Sequence, residues 1–309
     1  MKKVLFVDER KYRFSFYYES EVWWIKRGIK PYFKSYEGFL GKWIIYVWLI
    51  LFRPDFIVFV QLSKKNFFLC KLGNILSIKT IFWQHGIFNY NNGVIKSFFK
   101  PSLDFLLCLS DFDSNKIMNY FFKASSRVII NHYDLNKIVE SKKCNNSILY
   151  IGQIFSKEQW VSSSATLKYD KLCDDILSEL WIVLSKLDFT IYLKKHPGDK
   201  SDYLVNLCKI YSNFQMINDH VIPKIVLSHY STLIIPYLQL NIPFIQLHHF
   251  NNININFNAY SNMQFKTISS LEDLNSLKEY INSLESSTPN LNVNSDSISE
   301  IIRKIVTNN

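Results

Sequence analysis

Three polar clusters stand directly behind apolar runs, and each holds residue types suited to work on an anionic or hydroxyl-bearing ligand. The first is Trp83-Gln84-His85-Gly86, behind residues 79–82. A histidine there titrates near neutral pH and suits a general base, and the glycine after it lets a ligand approach the backbone. The second is Lys194-Lys195-His196-Pro197-Gly198-Asp199, behind residues 189–193. Pro197 ends the strand and fixes the turn, while Lys195 and His196 offer donors to a phosphate. The third is Ser228-His229-Tyr230-Ser231-Thr232, behind residues 224–227. Ser231 and Thr232 fall where a helix is expected to begin, and hydroxyls beside free backbone N–H groups complement an anion. Gly152-Gln153, behind residues 148–151, adds a fourth element. Each cluster has an ordinary alternative. His85 suits a solvent-exposed or structurally bonded histidine, 194–199 a polar turn, and Ser231 or Thr232 plain N-capping, which needs only one of them.

The elements that must position these residues follow from the apolar pattern. Short β-rich runs alternate with longer amphipathic stretches, the βαβα signature of an α/β protein with parallel sheets. Strands are predicted at 4–7, 56–60, 79–83, 105–109 and 128–131, with helices near 20–26, 38–51, 66–76 and 113–122. The second half restarts the pattern with strands at 148–151, 189–193, 224–227 and 243–247. Helices are predicted there at 171–186, 201–212, 231–240, 271–284 and 297–306. The polar stretch 140–147 reads as a linker. Two tandem Rossmann-like domains are therefore expected, 1–143 and 144–309, with the C-terminal helices in the second. Doubly wound sheets bind ligands beyond the carboxyl ends of their strands, which is where all four clusters fall.

Composition narrows the choices. The 309 residues, 48% hydrophobic and 20% charged, suffice for two ordinary cores. Only eight glycines are present and the closest pair is Gly38 and Gly41. That excludes a G-x-G-x-x-G dinucleotide loop and a Walker A loop, so any phosphate must be held by other means. Net charge is +10 and is lopsided: residues 1–145 carry 23 basic against 11 acidic residues, and 146–309 carry 13 against 15. A basic half suits an anionic partner such as a lipid headgroup, a phosphorylated glycan or a nucleic acid. No nucleic-acid-binding motif accompanies the charge, and a lysine-rich genome is the ordinary alternative.

The five cysteines lie about thirty or more residues apart. They fit free thiols in a reducing cytoplasm rather than a metal or redox pair. His132, His220, His229, His248 and His249 show no metal-ligand spacing, so no metal is expected. The start, Met1 to Asp8, reads as a strand instead of a signal peptide. The longest apolar run, 43–52, has ten residues, whereas a spanning helix needs about twenty. Residues 11–36 mix Arg13, Lys26, Arg27, Lys30 and Lys34 with aromatic residues, among them Phe14, Phe16, Tyr17, Tyr18, Trp23, Trp24, Tyr32 and Phe33. That mixture suits either an interfacial surface or a helix with its aromatic face in the core.

In order along the chain, the clusters resemble the GT-B glycosyltransferases. Leu51-Phe52-Arg53-Pro54-Asp55-Phe56-Ile57 and Trp83-Gln84-His85-Gly86 resemble their N-terminal domain. Tyr150-Ile151-Gly152-Gln153, Lys195-His196-Pro197 and Tyr230-Ser231-Thr232 are similar to the nucleotide domain of two branches. These are the bacterial CMP-sialic acid transferases and the teichoic-acid CDP-glycerol glycerophosphotransferases. The resemblance implies two Rossmann-like domains with a cleft between them. It implies a nucleotide-activated sugar as substrate, no separate cofactor, and a surface-glycan acceptor (capsule, O-antigen or lipooligosaccharide) at the inner face of a cell membrane.

Residue by residue, it implies that His196 contacts the donor phosphate, with Lys195 and Pro197 beside it. Ser228, Ser231 and Thr232 would complete the phosphate end, Gly152 and Gln153 would line the nucleotide pocket, and His85 would be the base. Gln84 and Gly86 would lie on the acceptor side. The chain departs from the sialyltransferases in lacking their acidic-acidic-Gly motif. It departs from many retaining enzymes in having no carboxylate in 231–240, which points to an inverting transfer. A CDP-polyol phosphotransferase, a nucleotide-sugar epimerase and a non-catalytic GT-B-like partner are the alternatives on the same fold.

Overall fold

The computed structural model describes residues 1–8, 11, 14–37, 40–60, 63–84, 100–132, 134–152, 171–196, 199–229, 231–247, 257–260, 265–284 and 296–309. Most of the apolar runs become parallel strands covered on both faces, which is why they read as nearly unbroken hydrophobic stretches; the run expected at 128–131 instead ends an edge strand that starts at Lys123 and alternates in exposure. In chain order the strands are β1 (Lys2–Asp8), β2 (Ile29–Ser35), β3 (Phe56–Phe59), β4 (Lys79–Trp83), β5 (Ser102–Cys108), β6 (Lys123–Ile129) and β7 (Lys142–Ile151). They continue with β8 (Thr190–Lys194), β9 (Phe214–Met216), β10 (Val221–Ser228), β11 (Phe244–Leu247) and β12 (Lys266–Ile268).

The strands form two six-stranded sheets, ordered β2-β1-β3-β4-β5-β6 and β12-β11-β10-β7-β8-β9. In each, the chain starts in the middle, builds outward to one side and then returns to build the other. The strand order thus reverses between β1 and β3 in the first sheet and between β7 and β10 in the second. β2, β9 and β12 escaped the sequence reading. β2 is interrupted by lysines, and the other two are three-residue edge strands, too short to show a period.

Two compact units emerge, Met1–Tyr133 with Asn294–Asn309, and Asp134–Val293. The last helix, Ile298–Asn308, thus belongs with the first unit. Ile298, Ile302 and Val306 are buried, and Ser299 Oγ accepts the Glu19 N–H at 3.1 Å. Such a return leaves no mark in a local pattern. The expected linker 140–147 is also different. Lys142–Ser147 is the first part of β7, and its residues 142–144 pair with Val221–Pro223 of β10. Its polar side chains are mostly exposed, so only backbone pairing makes it a strand.

The first unit answers the question posed by 11–36. Phe14, Tyr18 and Trp24 are buried, and Phe6 of β1 packs against Tyr18, Trp24 and Phe33 with ring centroids 4.6, 5.0 and 5.0 Å away. Those aromatic residues are core. Cys70, Cys108, Cys144 and Cys208 are free thiols, and burial pushes the Cys70 thiol up to about 12. Among the described residues, no helix is long and apolar enough to cross a membrane.

Candidate functional site

Strand register brings three of the four clusters to one edge. β10, β7 and β8 are neighbours, and Ser228, Ile151 and Lys194 stand in one row across them. Gly152, Lys195–His196 and His229 therefore leave the sheet side by side at its carboxyl end. Gly152 and the residues after Ser228 flank the point where the strand order reverses. Open α/β sheets bind ligands at such a point because the flanking loops diverge there.

Gly152 is buried, and its N–H donates to the Lys194 carbonyl at 2.8 Å. A Cβ there would sit 3.0 Å from Leu204 Cδ1 and 3.1 Å from the Lys194 oxygen, so the close approach of β7 to β8 favours glycine. Ser228 is fully buried and its hydroxyl donates to the Ile151 carbonyl at 2.8 Å. It joins the ends of the two central strands.

The Lys-His cluster is a braced turn. The Asp199 N–H donates to the His196 carbonyl at 2.9 Å, and the Asp199 carboxylate accepts both the N–H and the hydroxyl of Ser201 at 3.0 Å. Lys195 Nζ donates to the Ser201 carbonyl, and an ammonium retains further donors for a ligand. Lys194 is used differently: its Nζ donates to the carbonyls of Asn218 and Asp219 at 2.5 and 3.0 Å. Burial holds the His196 imidazole below its ordinary 6.5, with Asp199 pulling the other way. The ring is therefore neutral at pH 7, a hydrogen-bond donor or acceptor without charge.

The helix after β10 starts later than predicted, at Ile234 rather than residue 231. Pro236 explains this, because a proline with no N–H fits only the first turn of a helix. Ser231 and Thr232 form a tight turn ahead of it, with their carbonyls accepting from Ile234 and Ile235 N–H at 3.1 Å each. Ser231 Oγ accepts the Leu233 N–H at 3.3 Å. Both side chains are half-buried at the sheet edge.

Gln84 belongs to the first unit. It is buried, and its Oε1 accepts the Leu109 N–H at 3.1 Å, extending the pairing of β4 with β5 by one step. His85, Gly86, Gln153 and Pro197 lie outside the described residues. Among the described residues, no group of three His, Cys, Asp or Glu side chains is placed to hold a metal ion.

No protein-family model matches the sequence, and comparison with curated proteins gives no match. The fold does have matches among solved structures. The chain is similar to UDP-GlcNAc 2-epimerase of Methanocaldococcus jannaschii in complex with UDP-GlcNAc and UDP, with 11% identity and a TM-score of 0.61 over 100% of both chains. It is similar to Neisseria meningitidis UDP-GlcNAc 2-epimerase bound to UDP-GlcNAc, with 12% identity and a TM-score of 0.59, covering 99% of this chain and 100% of that one. This chain has a GT-B fold. A third GT-B likeness is to the wall teichoic acid polymerase TagF, at 12% identity and a TM-score of 0.51 over 99% of this chain and 89% of that one.

On this GT-B frame two features stand out to which the sequence alone assigned no role. Asp8 ends β1 at the first sheet's reversal point with its side chain buried. In the sequence it only marked where an apolar run stopped. His229 is buried too, and its Nε2 lies 3.1 Å from the Tyr150 hydroxyl. The signal for that pair was its position, one residue beyond β10 and one before the end of β7.

Proposed function

We propose that this protein binds a nucleotide-activated sugar at the carboxyl edge of its second sheet and transfers the sugar to a hydroxyl of a surface-glycan acceptor. One observation carries the reading: Gly152 and Ser231–Thr232 follow β7 and β10, the two strands between which the order of that sheet reverses, and Lys195–His196 follow the neighbouring β8 at the same edge. In the proposed reaction the acceptor oxygen forms a bond to the anomeric carbon as that carbon's bond to the phosphate oxygen breaks. The acceptor proton passes to His85, and the nucleotide leaves with the bonding electron pair. His196 and Lys195 donate hydrogen bonds to the phosphate as its charge grows, from a turn already braced by Asp199 and Ser201, so little reorganisation accompanies transfer.

A second reading, epimerisation of the sugar while it remains on the nucleotide, is favoured by the similarity to the two UDP-GlcNAc 2-epimerases. The two reactions differ in what they need. Incubation with UDP-, CMP-, CDP- and GDP-linked sugars, followed by chromatography of nucleotide and sugar, separates them. Free nucleotide that accumulates only when a glycan acceptor is added supports transfer. An isomeric nucleotide sugar formed without acceptor assigns the epimerase reaction instead.

A further inference from the structure

The helix Gly41–Phe52 carries two apolar stripes where an ordinary surface helix has one. Ile45, Tyr46 and Leu49 are buried in the first unit's core. On the other side, Trp43, Ile44, Val47 and Leu51 repeat at helical spacing and are 57%, 55%, 54% and 71% exposed. Ile50 extends this face, and Phe68 of the neighbouring helix Lys64–Ile75 is exposed too, 4.9 Å from the Tyr46 ring. So large a contiguous apolar face on an exterior marks a contact surface.

The charge around the face selects what covers it. Of residues 22–80, ten are Lys or Arg, and only Glu37 and Asp55 are acidic. Lys42 and Arg53 stand at the two ends of the helix. From the adjoining elements, Lys34 reaches the Trp48 ring at 5.9 Å and Lys65 the Tyr36 ring at 5.2 Å. A second copy meeting this face by two-fold symmetry would set that basic rim against itself. An anionic bilayer complements it, with tryptophan and lysine at headgroup depth and aliphatic side chains below. Twelve residues cannot span a bilayer but can lie in its interface.

We propose that the exposed face of the Gly41–Phe52 helix is a docking surface for an anionic phospholipid bilayer, with Trp43, Ile44, Val47 and Leu51 inserted and Lys34, Lys42, Arg53 and Lys65 on the headgroups. The surface lies in the first unit and works without nucleotide, so its failure and that of the proposed reaction are separately observable. Of the stretch 11–36, which the sequence left open between an interfacial surface and a core element, only Lys34 takes part.

Flotation of the full chain with vesicles tests it, using phosphatidylcholine alone or mixed with phosphatidylglycerol. The expected result is flotation with the mixed vesicles, weaker with phosphatidylcholine alone and weaker in high salt. The triple variant Ile44→Ser, Val47→Ser, Leu51→Ser should lose about a hundredfold in partitioning while keeping its circular dichroism spectrum. Lys42→Glu with Arg53→Glu, which leaves the apolar face intact, should lose the preference for anionic lipid. Failure of the wild type to float, or equal flotation of wild type and both variants, overturns the proposal. So does a wild-type dimer that binds no vesicle and becomes monomeric in the triple variant, which would assign the face to a second copy.

Discussion

The Tyr150 hydroxyl and His229 Nε2 lie 3.1 Å apart in the core of the second unit, directly beneath the strand ends that carry the candidate site. The bond ties the end of β7 to the residue that follows β10, and Trp181 packs edge-on against Tyr150 at 4.8 Å. Tyr150→Phe keeps the ring and leaves His229 without this partner. The variant should lose about 1–2 kcal/mol in urea unfolding with an unchanged m-value.

Gly152→Ala tests the close approach of β7 to β8. The added methyl meets Leu204 Cδ1 at 3.0 Å, which can yield, and the Lys194 carbonyl oxygen at 3.1 Å, which is backbone and cannot yield easily. Overpacking of this kind costs about 1–3 kcal/mol. Thermal unfolding should shift down, and nucleotide affinity should fall with it because the Lys195–His196 turn follows directly.

Ser228→Ala removes the hydroxyl that donates to the Ile151 carbonyl. The expected loss is about 1 kcal/mol of stability. Nucleotide affinity measured on the folded variant should change little, since this hydroxyl is fully buried and its proton goes to the Ile151 carbonyl.

His196 gives the site a pH signature. Burial holds its folded-state value below the ordinary 6.5. The unfolded chain takes up a proton that the folded chain refuses, so stability is intact above 6.5 and declines as pH falls below it. His220 is lowered as well, chiefly by burial, and adds to the same trend. Phosphate beside His196 favours the protonated ring, so nucleotide binding takes up protons and should tighten from about pH 8 to about pH 6. Calorimetry across that range should show the slope in the wild type and a flat profile in His196→Gln.

Much of the fold was legible because parallel strands covered on both faces announce themselves as apolar runs, as 4–7 and 224–227 did. What was not legible is what backbone pairing or distance decides. Lys142–Ser147 is polar and pairs only through its main chain, and Ile298–Asn308 returns to the first unit from the far end of the chain. At the site, the residue types behind β7, β8 and β10 showed where to look. Their convergence depends on strand order, which no local pattern encodes. The 11–36 aromatics stayed open between two readings for a related reason: a lysine-broken strand and a buried aromatic cluster have the same composition as an interfacial segment.

The central claim is that a nucleotide is held at the carboxyl edge of the second sheet by His196 and its neighbours. Isothermal titration calorimetry of the full chain with UDP, CDP, GDP and CMP tests it most directly, with His196→Ala alongside. At least one nucleotide should bind the wild type, and the variant should bind that nucleotide about 10- to 100-fold more weakly, the effect expected of losing a hydrogen bond to a charged group. Absence of binding by all four, or equal affinity in wild type and variant, would contradict the account.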